Sequence, residues 1–259
     1  MAKPKSNATP SEVSDILQVS TGTLICHVLG TSPLILNRMS EKAKHELLMP
    51  KGRKNAIEKA TTLKHQPIDE YRASAYVEKD TTKPTYLNLM STAFKGSLRS
   101  AALDMPGAKK AQIGRLTFIE GDYVGVYGIP KLFMAIVRSA DMNKTPDVRT
   151  RAIVPIWAAR VAVTYVEPLI RPQAIANLLG AAGLTIGVGD GRPEKGAMSY
   201  GQFRLVAQDD PDYLAVIKSG GRKAQEEAIQ NPTAYDDETA ELLSWFDHEK
   251  ANRNLRGVA

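Results

Sequence analysis

The chain has 259 residues, 43% apolar and 24% charged, with a formal net charge of +6. This size and composition predict one enlarged globular domain with its own core, and no apolar run approaches the ~18 residues that span a bilayer. The single cysteine, Cys26, excludes a disulfide framework and a thiol zinc cluster and fits a reducing cytoplasm; the stretch MAKPKSNATPSEVSD lacks the apolar core of a secretory signal.

Residues 1–20 are polar and read as a flexible arm. TLICHVL, 23–29, is a first buried strand. Residues 38–64 hold eight Lys/Arg and three Glu around LLMPKGRKN, a basic helical insertion in which Pro50 and Gly52 separate two helices. YRASAYVE, 71–78, and TYLNL, 85–89, read as strands, after which Ser91 is expected to cap a helix reaching Leu103. Short strands at 115–119, 123–127 and 132–137 are punctuated by Gly121, Asp122, Gly128 and Pro130. SADMNKTPDVRTR, 139–151, has no apolar pattern and is read as a projecting loop before AIVPIWAARVAVTYVEP resumes the sheet at 152–168. Pro172 opens a helix that Gly183 is expected to end, and 202–206 is a last strand. From 209 to 259 the texture becomes an acidic helical extension with Leu242, Leu243 and Phe246 at helical spacing.

The charge divides the same way. Residues 1–204 carry 28 Lys/Arg against 17 Asp/Glu, a net +11, whereas 205–259 carry 6 against 11, a net −5. A basic body of this kind suits a polyanionic partner or a solvated surface. There is no phosphate loop, no GxGxxG between strand and helix and no HExxH, and the four histidines lack neighbours at ligand spacing. No metal site, cofactor, catalytic residue or small-molecule substrate is expected.

Two segments carry chemistry. On STAFKGSLRSAAL, 91–103, Lys95 and Arg99 stand one turn apart on one face, and Gly96 beside them permits the close approach of another backbone. GVGDGRPEKGAMSYGQF, 187–203, mixes Gly187, Gly189, Gly196 and Gly201 with Arg192, Lys195, Tyr200 and Phe203: backbone N–H groups and cations for phosphates, rings for bases. A loop this long between a helix and the last strand is expected to be functional.

In that order the two segments resemble the helix start and the C-terminal glycine-rich loop of the RAMP superfamily, specifically the backbone subunits of CRISPR effector complexes, over about residues 23–206. The resemblance implies an α+β fold, a ferredoxin-like or RRM-like βαββαβ core at 21–208, here with helical insertions, a projecting loop and the C-terminal helical extension. It also implies subunits that polymerise along single-stranded RNA in helical register, with Lys95, Gly96, Arg99 and the glycine loop on the strand and residues 142–151, including Arg149 and Arg151, as a thumb folding over it. A virus-encoded stand-alone relative coating single-stranded DNA or RNA fits the same residues. The expected function is therefore a cytoplasmic, non-enzymatic single-stranded nucleic-acid binder that forms homo-oligomers. The alternatives are a metal-dependent RNA endonuclease using Asp141 or Asp147, and a structural assembly protein that binds no nucleic acid.

Overall fold

The computed structural model describes residues 17–39, 44, 47–48, 63–138, 146–195 and 198–253. The expected arm and the basic insertion at 38–64 lie almost entirely outside them. Strand β1 (Ser20–Gly30) is the centre of the molecule. Its alternation places Cys26 and Val28 in the main core, and it pairs along its length with β9 (Ala158–Glu167), from Ser20↔Glu167 to Leu29↔Ala158. Its other edge takes β10 (Phe203–Val206), from His27↔Val206 to Gly30↔Phe203. The second edge of β9 takes β5 (Thr117–Ile119) and then β6 (Tyr123–Tyr127), two pieces of one interrupted strand, with β4 (Leu87–Met90) and β3 (Tyr76–Val77) beyond β6. All of these pairs are antiparallel.

Two helices connect the strands on one face. α2 (Ser91–Ala101) precedes β5, and α4 (Pro172–Thr185) joins β9 to β10. The order in the chain is thus β1, α2, β5/β6, β9, α4, β10, and across the sheet last, first, third, second. That is the ferredoxin-like βαββαβ arrangement, and the fold is α+β. Phe94, Leu98, Ile175 and Leu179 from the two helices are buried against the sheet, and Phe203 meets Phe94 and Trp157 edge-on at centroid separations of 5.8 and 6.1 Å. Each such side chain contributes about 1.5–3 kcal/mol through apolar burial. Gly183 does not end α4. It lies inside the helix where a β-carbon would stand 2.2 Å from the Phe203 carbonyl oxygen, so it allows helix and strand to touch.

A smaller sheet stands beside this core. β7 (Lys131–Arg138) and β8 (Pro146–Val154) form a hairpin, and β2 (Leu34–Ile35) adds to β8 at Leu34↔Val154. Residues 146–151, expected in a loop, are therefore strand; the register with β7 overrides their polar composition. Other boundaries also move. Residues 71–73 belong to α1 (Pro67–Ala73), which Pro67 opens and whose Tyr71 is fully buried, and 115–116 end α3 (Lys110–Leu116). Ser91 is the first residue of α2 rather than its cap.

The acidic extension packs back on the same chain. α5 (Pro211–Ser219) is capped by the Asp210 carboxylate, which accepts from the Asp212 and Tyr213 amides at 3.0 Å, and it covers Leu29 and Ala158 on the sheet face opposite α2 and α4. α6 (Arg222–Gln230) inserts Gln225, wholly buried, into the core edge. Its Oε1 accepts from the Tyr86 and Leu87 amides at 2.7 and 3.0 Å, and its Nε2 donates to the Val126 and Gly128 carbonyls at 2.7 and 3.0 Å. α7 (Asp237–Arg253) then lies against β7, where Thr239 accepts from the Met134 amide. Gln225→Ala leaves four buried backbone groups without partners at about 1–3 kcal/mol each. It is expected to lower stability by about 3 kcal/mol or more in urea unfolding, with the m-value preserved; a loss under about 1 kcal/mol would mean that the extension docks independently of this amide.

Candidate nucleic-acid interface

The glycine loop closes on its own chain. Gly201 has a φ of +69°, and a β-carbon there would lie 1.7 Å from the Val188 oxygen; Gly189, at +82°, would meet the Ile35 oxygen at 2.6 Å. Left-handed backbone and close contact both demand glycine here. The amides of Val188, Asp190, Tyr200 and Gly201 donate to Gly201, Ile35, Gly191 and Pro33, at 2.7–3.1 Å, and that of Gly191 to the Asp190 side chain. The close approach that the glycines permit is thus to protein backbone, and these five N–H groups already have acceptors. Gly187 likewise has positive φ, and its amide closes the end of α4 on Ala182. Gly196 lies outside the described residues.

Arg192 of the loop is also engaged. Arg192 donates from Nε to Glu194 Oε2 at 3.0 Å and from Nη1 to the Gly189 carbonyl at 2.9 Å, while Ser100 of α2 donates to Glu194 Oε1 at 2.5 Å. Glu194 is a strut between helix and loop. The Ser100 hydrogen bond, helped by Arg192 and opposed by burial, holds its carboxyl below the usual range. Lys195 ends the short turn Pro193–Lys195 and is exposed.

On α2, Lys95 and Arg99 turn toward α3 and β5. The Lys95 ammonium sits 4.5 Å from the Phe118 ring centroid, and the Arg99 side chain runs over Gly114. Gly96 is exposed, and apart from its own helix no described residue comes within 4 Å of where a β-carbon would be.

The hairpin sheet carries the group the sequence reading only half anticipated. In β8 alternate residues share a face, so Arg149 and Arg151 stand together; opposite them in register are Ala135 and Phe133 of β7, with Lys131 next along. The loop extends this sheet through a bridge between Ile35 and Asp190, which brings the Asp190 carboxylate to 3.9 Å from Arg149 Nη1 and 4.0 Å from Arg151 Nε. Arg149 is half exposed and Arg151 mostly buried. Arg151 Nη1 donates to the Thr150 carbonyl, whereas its buried Nε has no hydrogen-bond acceptor among the described residues. Burial, and then the charge of Arg149, lower the Arg151 pKa, against the pull of Asp190. Tyr200 and Tyr235 approach Phe133 at centroid separations of 6.2 and 5.6 Å, a three-ring cluster beside the cations. Phe203, expected as a stacking ring, is instead 2% exposed in the core.

Of the residues expected at the site, Arg149, Arg151, Gly189 and Tyr200 come together on this sheet, with Arg192 beneath the loop; Lys95 and Arg99 lie on a separate, helical surface. Phe133, Tyr235 and Lys131 were missed. For Phe133 and Lys131 the signal was the polar–apolar alternation of DVRTRA in β8, which reads as a strand only once β7 is set opposite; nothing near Tyr235 in sequence signalled its place. Asp147, the alternative nuclease residue, accepts from Lys64 at 2.6 Å and lies 2.9 Å from His65 Nε2; Asp141 is outside the described residues. No helix among the described residues is long and apolar enough to cross a membrane.

No protein-family model and no curated protein matches the sequence. Among solved structures the chain is similar to one from the "Cryo-EM structure of the Type III-B Cmr-beta bound to cognate target RNA", at 12% identity and a TM-score of 0.36, over 72% of this chain and 59% of that one. The chain thus spans about three fifths of the length of that neighbour.

Because loop closure and not an open cradle demands Gly201, Gly201→Ala is expected to cost about 2 kcal/mol or more through left-handed strain and collision. Thermal unfolding measures this, and a shift within about 0.5 kcal/mol of wild type would contradict the closed loop.

Proposed function

We propose that the protein binds single-stranded nucleic acid without sequence preference, on the surface formed by β7, β8 and the glycine loop, and that it acts as a RAMP-type coat protein rather than an enzyme. The observation that carries this reading is the pairing of Arg149 and Arg151 on one strand face, the latter mostly buried and without a hydrogen-bond acceptor at Nε among the described residues, beside the rings of Phe133, Tyr200 and Tyr235. Charge of this kind takes phosphate, the rings take bases by stacking, and neither reads a base edge. The ferredoxin-like topology, the +11 body and the resemblance to CRISPR backbone subunits support it. Lys95, Arg99 and the open Gly96 add a second contact line on α2, from which side-by-side subunits on one strand, forming a filament on RNA or on a phage-type single-stranded DNA, follow as part of the same proposal.

A nuclease role for Asp147 is less well supported, since Lys64 and His65 already occupy its carboxylate. Incubation with labelled RNA and Mg²⁺ is expected to leave the RNA intact; shortening that Asp147→Asn abolishes would reverse the assignment.

Binding is measured by anisotropy of labelled DNA and RNA strands. Affinity is expected to fall with salt at a log–log slope of about −0.7 per neutralised phosphate. Replacing Arg149 and Arg151 together by Ala should weaken it about tenfold or more, and Phe133→Ala should remove about 1–3 kcal/mol of stacking. Changes within about twofold in both variants, with folding intact, would remove the interface from this face.

Gly96→Ala tests the second line separately. An exposed glycine inside a helix costs about 1 kcal/mol relative to alanine, so the variant should be more stable by about that amount. It should nevertheless bind strands more weakly, because the methyl group stands where the strand passes. Greater stability with unchanged binding would show that α2 touches no ligand.

A further inference from the structure

Near the Val137–Asp147 end of the β7–β8 hairpin one histidine is shared by two carboxylates. His65 Nδ1 lies 2.9 Å from Glu70 Oε1 of α1, and Nε2 lies 2.9 Å from Asp147 Oδ1 of β8, the oxygen that also accepts from Lys64. The His65 and Glu70 side chains are 18% and 22% exposed. A neutral imidazole has one N–H, so it can donate to one of these carboxylates but must turn a lone pair toward the other; an imidazolium donates to both. The geometry is satisfied only by the charged ring. In accord with this, the hydrogen bond to Glu70, with help from Asp147 and against burial, raises the His65 pKa above its ordinary value.

The clamp belongs to the cation face. Asp147 lies on the same side of β8 as Arg149 and Arg151, and Glu70 acts electrostatically on Arg151. The charged groups around His65 are Glu70 from α1, Asp147 from β8 and Lys64 from its own segment. Glu249 and Lys250 of α7, of opposite sign, line the same groove of about 240 Å³ between α7 and the hairpin sheet. Among the described residues of the face Lys64, Lys131, Arg149 and Arg151 stand with Glu70, Asp147 and Asp190, and protonation of His65 adds one positive charge to that local sum.

We propose that His65 is a proton-gated clamp that regulates the polyanion affinity of this face: when charged it neutralises Asp147 and Glu70 between its two nitrogens, and when neutral it releases one of them toward the arginines. This rests on the nucleic-acid reading of the face. Because a bound polyanion favours the charged ring, affinity must rise as pH falls through the His65 pKa. The sign for stability is the same. The folded pKa is raised, so the clamp contributes fully below the ordinary value of about 6.5 and is lost as pH rises through the folded value.

The test compares the full chain with its His65→Gln variant, using a labelled oligothymidylate about thirty nucleotides long, at pH 6 and pH 8.5 and constant ionic strength, alongside an NMR titration of the histidine ring nitrogens. Wild type is expected to bind about threefold or more tightly at the lower pH, His65→Gln to lose most of that difference, and the His65 resonance to titrate above about 6.5 and move down in Glu70→Gln. Equal pH dependence in the two proteins, or a His65 resonance titrating at or below the ordinary value, would overturn the clamp. Absence of binding at both pH values would instead overturn the nucleic-acid reading, and the regulation with it. The ring titration distinguishes that result from failure of the clamp alone.

Discussion

The contact between Gly201 and the Val188 carbonyl holds the candidate interface together. With no side chain at 201 the two ends of the loop touch, Val188 N–H donates to Gly201 at 2.9 Å, and Gly201 N–H reaches Pro33 at 2.7 Å. The loop is thereby laid along β2, where Ile35 and Asp190 bridge as in a sheet. Two distant consequences follow from this local geometry. Asp190 is carried to the arginines of β8, and Tyr200 to Phe133 of β7. A loop whose glycines suggested an open cradle instead connects the last core strand to the small sheet through its described residues.

The distribution of charge follows from the same connection. Within the loop Arg192 is neutralised by Glu194, which is itself tied to α2, so the pair fixes position and adds little field. On the neighbouring strand the balance differs. Asp190 stands at 3.9 and 4.0 Å from two guanidinium groups, too far for short hydrogen bonds and shared between both. A mostly buried arginine with one counterion at this spacing retains much of its desolvation cost. Asp190 offsets part of that cost for Arg151, and Glu70 of α1 adds to the offset.

Much of the core was readable because it is local or strictly periodic. β1, β6 and β7 announce themselves by alternation, α4 by a proline at its first turn, α2 by the serine that begins it, and the glycine loop by composition. The errors arise where a tertiary partner decides. YRA at 71–73 looks like the start of a strand, yet Pro67 and the burial of Tyr71, whose hydroxyl donates to Ala228 at 3.0 Å in the C-terminal extension, make it helix. Residues 146–151 look like loop, yet six register pairings with β7 make them strand. The site suffers most from this limitation. Phe133 and Arg151 are adjacent only through register, Tyr235 arrives from a segment a hundred residues later, and no spacing along the chain encodes either meeting.

The acidic extension shows why sign asymmetry in a sequence does not by itself identify a partner. Its net −5 suggests a mobile tail seeking a basic surface, but its described helices are joined to the core by specific hydrogen bonds rather than by diffuse attraction. Gln225 fills four backbone valences, and Arg222 donates to the carbonyls of Glu78, Asp80 and Thr85 while pairing with Glu226. Tyr235 donates its amide to Leu132 and packs its ring on Phe133. The extension thus forms one wall of the candidate interface.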